Sequence, residues 1–530
     1  METPTHKYAH EATTPTDNSA ILNLDAPILD APQAHRHRRI AIAVAALLVV
    51  GAVTGVLVWQ FSSSSSDSNQ SAAKDPSAVN PTTAPTPAPT RTFYSIGKIQ
   101  DGSTWAANED NNPLVYPSRG CVQPNYLSKH GQIFVVGSDK VERPIAIKGI
   151  NWFGMETINN IPFGLWTNDQ NGTTLYEITA FLSRNNFNSV RLPLSVQSLL
   201  LNTPPTKAMV HEEANAAFDT SSYVGAVGSV VKALGSRGIS VLLDLHNLNA
   251  TEKGDAWFGN STTADQFMQA MDVLTSSYCN ATFWNVIGVD LKNEPYGTTW
   301  GDNGPKDFRT GAATIANRML NACGSWLAFV EGNAAKHNLT FAEQTSYFFD
   351  WWGGGLRDAG KFPLQLAVPQ KVVYSPHYYS PSVYPQSYLV QGGKRDGDVL
   401  VGYTEYDDPT LSAVVHQSSE EMFGYLRSVQ DGALVLGEFG GLFALDAHEK
   451  KTTQRVTQNV VRLLSQPGYA GGYMWSLNPE SGYEYNPSSV QGHWTEGLLE
   501  KDWVHVNMQY LNALKDMDTM PHLASFPCLT

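Results

Sequence analysis

The chain has 530 residues, with 35 Lys and Arg against 49 Asp and Glu and a formal net charge of −14. That acidic balance argues against nucleic-acid binding, which concentrates basic residues on one face. The length exceeds what one core usually holds, so part of the chain is expected to lie outside it.

Residues 1–39 read as a disordered cytoplasmic tail: polar, rich in Thr, Pro, Ala and His, and ending on Arg36, Arg38 and Arg39. Ile40 opens a run of 20 uncharged residues that reaches Trp59. As a helix it spans the roughly 30 Å hydrocarbon core of a bilayer, with Trp59 and Phe61 in the interfacial belt. No Lys or Arg follows until Lys74, so the positive-inside bias makes 40–61 a signal anchor with everything after it outside. A cleaved signal peptide is the competing reading, but the polar lead is too long for one. Residues 62–92 are Ser, Thr and Pro in the main, the composition of an extracellular, glycosylated stalk. Sequons at Asn171, Asn249, Asn260, Asn280 and Asn338 all fall on the exterior side.

From 93 to 530 the composition is globular. A short strand is predicted over 132–136, followed by eight apolar runs: 144–152, 188–193, 240–246, 286–290, 326–331, 371–377, 433–440 and 471–475. Helical patterns alternate with them at 174–183, 223–234, 264–278, 312–322, 411–429 and 453–464. Eight strand–helix units imply a parallel sheet closed into a (β/α)8 TIM barrel. A doubly wound open sheet is the alternative, and no phosphate loop supports it.

Working residues in such barrels come from the C-terminal strand ends. Here those ends carry Trp152, Arg191, His246, Asn293, Glu294, Glu331, His377, Tyr379, Glu438 and Trp475. Each alone could be packing or an ion pair, but a purely structural barrel has no reason to collect them. Glu294 and Glu438, on two strand tips, are the pair that glycosidic-bond hydrolysis requires.

The motifs Gly149-Ile-Asn-Trp-Phe-Gly-Met-Glu-Thr157 with Gly164-Leu-Trp166, Val190-Arg-Leu-Pro193, Leu243-Asp-Leu-His246 and Asp290-Leu-Lys-Asn-Glu-Pro295 resemble bacterial family-5 endoglucanases (cellulases). So do Phe329-Val-Glu-Gly332, Val373-Tyr-Ser-Pro-His-Tyr-Tyr379, Leu436-Gly-Glu-Phe-Gly440 and Trp475-Ser-Leu-Asn-Pro-Glu-Ser-Gly482. The resemblance covers roughly 125–515. It implies a retaining, cofactor-free and metal-free β-glucan hydrolase with Glu294 as acid/base and Glu438 as nucleophile. Arg191, His246, Asn293, His377, Tyr379 and Trp475 would complete the site. Lys292 and Leu477 depart from the pattern, since similar enzymes often carry His or an apolar residue and a second Trp there.

In those roles Glu294 should have a pKa raised by apolar surroundings or by the Glu438 charge, and Glu438 should stay ionised beside Arg191. Asn293 is placed to bind the sugar 2-hydroxyl. Trp152, Trp166, Trp257 and Trp475 are candidate sugar-stacking surfaces, of which Trp166 and Trp257 could equally be loop anchors. Other specificities (mannan, xyloglucan, exo-acting β-1,3-glucan hydrolysis) and a non-catalytic surface lectin share this barrel. Outside the cell the four cysteines should be oxidised. Cys279 and Cys323 end successive helices at one barrel face, and Cys121 and Cys528 flank the barrel at opposite chain ends. Pairs 279–323 and 121–528 are therefore expected, with the other two connectivities still open.

Overall fold

The computed structural model describes residues 97–104, 111–166, 172–487 and 493–530. The tail, the apolar span 40–61, the linker and the Asn171 sequon lie outside the described residues. No helix among the described residues is long and apolar enough to cross a membrane.

Three antiparallel strands come first: β1 (Asn125–Lys129), β2 (Gln132–Val136) and β3 (Glu142–Ile145). The barrel begins with β4 (Ile147–Asn151), β5 (Ser189–Ser195), β6 (Ser240–Asn247), β7 (Val286–Asp290) and β8 (Leu327–Val330). A hairpin, β9 (Lys336–Phe341) and β10 (Gln344–Phe349), precedes β11 (Val372–Tyr374) and β12 (His377–Tyr379). A second hairpin, β13 (Gln391–Asp396) and β14 (Val399–Thr404), leads to β15 (Ala433–Gly440) and β16 (Tyr469–Trp475). The large sheet runs β11-β8-β7-β6-β5-β4-β16-β15-β12, and β11 also pairs with β15, which closes it. Every pairing in it is parallel. Strands such as β4, β5, β7 and β15 are buried along their whole length, which is why they read as near-continuous apolar runs.

The structure departs from the predicted elements in three places. The run 144–152 is two strands, because β3 pairs with the N-terminal hairpin and only β4 enters the barrel. The sixth stave breaks at Ser375-Pro376, since proline cannot donate to the ladder. The helix predicted over 411–429 is Asp408–Ser419, a wider π turn at Glu420–Gly424 and a last turn at Leu426–Val429. The two hairpins carry too little apolar periodicity to be seen in sequence, and β9–β10 stands where a crossover helix would be.

Alternate residues of each strand point inward. At the N-terminal end Ile147, Leu242, Ile287, Leu327, Phe329, Val373, Val435 and Tyr473 form an apolar floor, sealed by Tyr126, Ile133 and Val135 of the β1–β3 sheet. Gly149 makes room for the Tyr473 ring, since a Cβ there would lie 2.2 Å from it. Helices pack outside, and the start of Ala264–Tyr278 is fixed by a Thr263–Gln266 capping box. The helices Ala264–Tyr278 and Phe308–Ala322 end on Cys279 and Cys323, which are bonded to each other. Cys121 and Cys528 are bonded as well, so both expected pairs are present.

Candidate active site

The polar layer sits directly above that floor, and Arg191 is its centre. Its Nη1 donates to Glu438 Oε1 at 2.6 Å and to Asn151 Oδ1 at 3.0 Å. Nε donates to Asp290 Oδ2 at 3.0 Å, and Nη2 to Asn293 Oδ1 at 2.9 Å and Glu331 Oε1 at 3.1 Å. Asp244 Oδ2 lies 3.1 Å from the same nitrogen. The side chain has no exposed surface, so only this many acceptors make a buried guanidinium tolerable.

Glu438 is held from both sides, because Tyr379 donates its hydroxyl to Oε2 while Arg191 holds Oε1. Glu294 lies just past β7, and its Oε1 is 3.2 Å from His377 Nδ1. That nitrogen is also 3.5 Å from Glu438 Oε2, so the imidazole stands between the two carboxylates. One oxygen of each glutamate and a ring nitrogen of His377 all lie within 4.8 Å of one another. These are also the donor types that could hold a metal ion, although protein donors already occupy Glu438.

His246 Nδ1 lies 2.6 Å from Asp244 Oδ2, its Nε2 is 3.4 Å from Asn293 Nδ2, and its ring stacks on Trp475 at 5.7 Å. Trp475 stacks in turn on Phe153 at 5.5 Å. Lys292 is buried, with Nζ donating to the carbonyls of His246, at 3.1 Å, and Asn293. Burial drops its pKa to about 8, although Glu331, Asp244, Glu294 and Asp290 all favour the charge. Two residues past Glu294, Tyr296 stacks on Trp352 at 3.9 Å, and both residues are partly exposed.

Burial works against a charge on His377, but Glu331, Glu438 and Glu294 outweigh it and hold the imidazole well above its ordinary pKa. That cation sets the balance of the pair. Burial raises both carboxyls; the His377 hydrogen bond and charge bring Glu294 below the ordinary glutamate range, while Glu438 stays above it despite His377 and Arg191. This ligand-free order is the reverse of the expectation drawn from sequence. Both oxygens of Glu438 are occupied, whereas Glu294 Oε2 has no partner. Glu294 Oε2 is therefore the open position for a proton.

The aromatic expectations need correction. Asn151, not Trp152, is the inward residue at the tip of β4, so Trp152 points to the helices, fully buried, with Nε1 donating to Phe163 O at 3.0 Å. A ring with no exposed face cannot stack on a sugar, and the same holds for Trp475, fully buried against His246 and Phe153. Trp166 packs edge-on against Phe163 and Trp503, and Trp257 against Phe258 and Phe308, as loop anchors do. Leu477 is fully buried. The sequence reading passed over Asn151, Asp244 and Asp290 and gave Glu331 no role. The signal was present: a carboxylate inside an apolar run must have a partner.

Residues 140–481 match the model of the cellulase family, glycosyl hydrolase family 5. The chain is 28% identical over 374 residues to the endoglucanase of Paenibacillus polymyxa, an alignment covering 70% of this chain and 82% of that protein. It is 28% identical over 395 residues to the major extracellular endoglucanase of Xanthomonas campestris, covering 74% and 71%. The hyperthermophilic endocellulase of the archaeon Pyrococcus horikoshii superposes with a TM-score of 0.60 at 26% identity, over 74% of this chain and 98% of its own. A variant of that enzyme in complex with cellotetraose gives a TM-score of 0.60 at 25% identity, over 75% and 99%. With eight parallel staves and two glutamates facing each other across the barrel mouth, the chain belongs to glycosyl hydrolase family 5 and is a glycosyl hydrolase.

Proposed function

We propose that this hydrolase is a retaining endo-β-1,4-glucanase with Glu294 as acid/base and Glu438 as nucleophile. The observation that carries the reading is the separation of the two carboxylates, whose nearest oxygens fall within 4.8 Å. Retention needs about 5–5.5 Å between the carboxyl groups, and inversion about 6.5–9.5 Å to admit a water between them. The relatives' names, endoglucanase and endocellulase, support a β-glucan substrate.

In the first step a Glu438 oxygen attacks the anomeric carbon, the glycosidic C–O bond breaks, and the Glu294 proton goes to the leaving oxygen. Arg191 and Tyr379 hold the two Glu438 oxygens and aim them at the anomeric carbon. Asn293 has its carbonyl on Arg191, and its amide nitrogen, which faces His246 Nε2 at 3.4 Å, keeps an N–H for the sugar 2-hydroxyl, a contact that strengthens in the oxocarbenium-like transition state. In the second step Glu294, now a carboxylate, takes a proton from water as that water attacks the anomeric carbon. The ester bond to Glu438 breaks and the β configuration is restored.

In the same reading, residues 40–61 anchor the chain as a type II membrane protein, with 93–530 outside the cell on the 62–92 stalk. The arginines before Ile40 and the absence of Lys or Arg until Lys74 support that orientation. Protease added to intact cells should then remove the domain and leave an N-terminal stub. A soluble, N-terminally processed form as the only product would sink the anchor.

The test of specificity is a product profile on soluble β-1,4-glucan, mixed-linkage glucan, xyloglucan, β-1,3-glucan and mannan, with Glu438→Gln as control. A rapid fall in the viscosity of β-1,4-glucan with few reducing ends formed is the expected outcome. Mannan-only activity, or single sugars as the first products, would refute it.

A further inference from the structure

A third carboxylate, Glu331, lies in the site without a place in the two-glutamate reaction. It sits just past β8, fully buried. Its Oε2 accepts the backbone N–H of Glu294 at 2.7 Å. Its Oε1 accepts from Arg191 Nη2 at 3.1 Å and lies 3.1 Å from His377 Nε2. The opposite nitrogen of that imidazole faces Glu294. One carboxylate therefore reaches Glu294 by two routes, through its main chain and through the histidine that its side chain contacts.

The main-chain contact matters because Glu294 has φ +44°, in the left-handed region that a non-glycine residue adopts only when its surroundings impose it. Pro295 follows and restricts the same segment from the other side. The pocket around Glu331 is built to fit. Gly332 N–H donates to Gly353 O at 2.7 Å, and a Cβ on Gly353 would lie 2.3 Å from Glu331 Oε2. Arg191 still has Asp244, Asp290 and Glu438 as carboxylate partners when Glu331 is changed.

We infer that Glu331 is the positioning residue of the acid/base: it holds the Glu294 backbone in the left-handed conformation that aims the carboxyl at the leaving oxygen, and it orients His377 against that carboxyl. The inference rests on the assignment of Glu294 as acid, and leaving-group dependence separates the two. An aryl cellobioside with a strongly activated leaving group needs no acid, whereas a cello-oligosaccharide does.

Glu331→Gln keeps the shape but sets an amide N–H2 against either Arg191 or the Glu294 N–H. It should lower kcat/KM on cellopentaose about tenfold or more while changing the activated aryl substrate by no more than about threefold. Glu331→Asp retains the charge for Arg191 but draws the carboxylate away from Glu294, and should give the same split. Retained kcat/KM on the aryl substrate and the thermal midpoint report the fold. Equal losses on both substrates, or no loss on cellopentaose, overturn the inference. If Glu294→Ala itself loses equally on both, it is the acid assignment that fails.

Discussion

Arg191 Nη1 and Glu438 Oε1 are 2.6 Å apart, and neither side chain has any exposed surface. The pair exists because three more carboxylates and two amide oxygens share the remaining guanidinium hydrogens. Arg191→Lys keeps a charge but loses the planar fork, so most of these acceptors are left buried and unpaired. We expect a stability loss of about 3–5 kcal/mol by denaturant unfolding, the usual result of breaking a buried pair. Turnover of any substrate should fall about 100-fold or more, since the donor facing the nucleophile is displaced. Wild-type turnover in this variant would mean that Glu438 does not need the guanidinium fork.

Glu438→Ala should abolish turnover even on substrates with good leaving groups, because no covalent intermediate can form. Glu294→Ala should still release an activated aryl group, and added azide should then give a glycosyl azide of β configuration, identified by NMR. An α-configured azide from the Glu294 variant would contradict its role as acid/base.

The barrel was legible because its strands are apolar on both faces, and the strand tips because polar residues end those runs. What failed was phase. Trp152 ends the visible run of β4, yet side chains alternate along a strand, so the inward position is Asn151. Glu331, His377 and Glu438 show in sequence as polar residues at strand ends. That Glu331 and Glu438 meet at one guanidinium, with His377 against both, depends on register across strands far apart in the chain, such as His377 opposite Glu438. No local pattern encodes that register. The ligand-free pKa order of the pair was missed for the same reason, since it follows from an imidazole placed between them.

Glu480 offers a test of burial by pH. Its residue is partly exposed, but one carboxyl oxygen accepts from Trp503 Nε1 at 2.8 Å and the other is buried without a partner. Burial pushes its pKa up to about 7. Between the ordinary glutamate value and about 7, the folded state holds a proton that the unfolded state has released. The contribution of this group to stability therefore falls as pH rises through that window. Glu480→Gln mimics the protonated form. Its thermal midpoint relative to wild type should rise from pH 4.5 to pH 8, and a flat or falling difference would contradict the buried-acid reading.

The stacked pair Tyr296 and Trp352 bears on which side of the cleaved bond the enzyme grips. Tyr296 is two residues past Glu294, and its ring lies 3.9 Å from that of Trp352 with planes 14° apart. An acid that protonates the leaving oxygen must face the leaving sugar, so this aromatic pair, two residues along the chain from Glu294, is a candidate surface for the leaving-group side. Flat rings suit the apolar faces of pyranoses, and aromatic pairs of this kind contribute about 0.5–1.5 kcal/mol beyond area burial. Trp352→Ala should therefore raise KM for cello-oligosaccharides roughly 3–10-fold, as 1.4 kcal/mol is a factor of ten. Aryl cellobiosides, with no sugar on that side, should keep their KM. Transglycosylation, which needs a sugar acceptor bound there, should fall in parallel and can be read from the proportion of elongated products. Equal changes in KM for both substrate types would place the stack outside the leaving-group subsite.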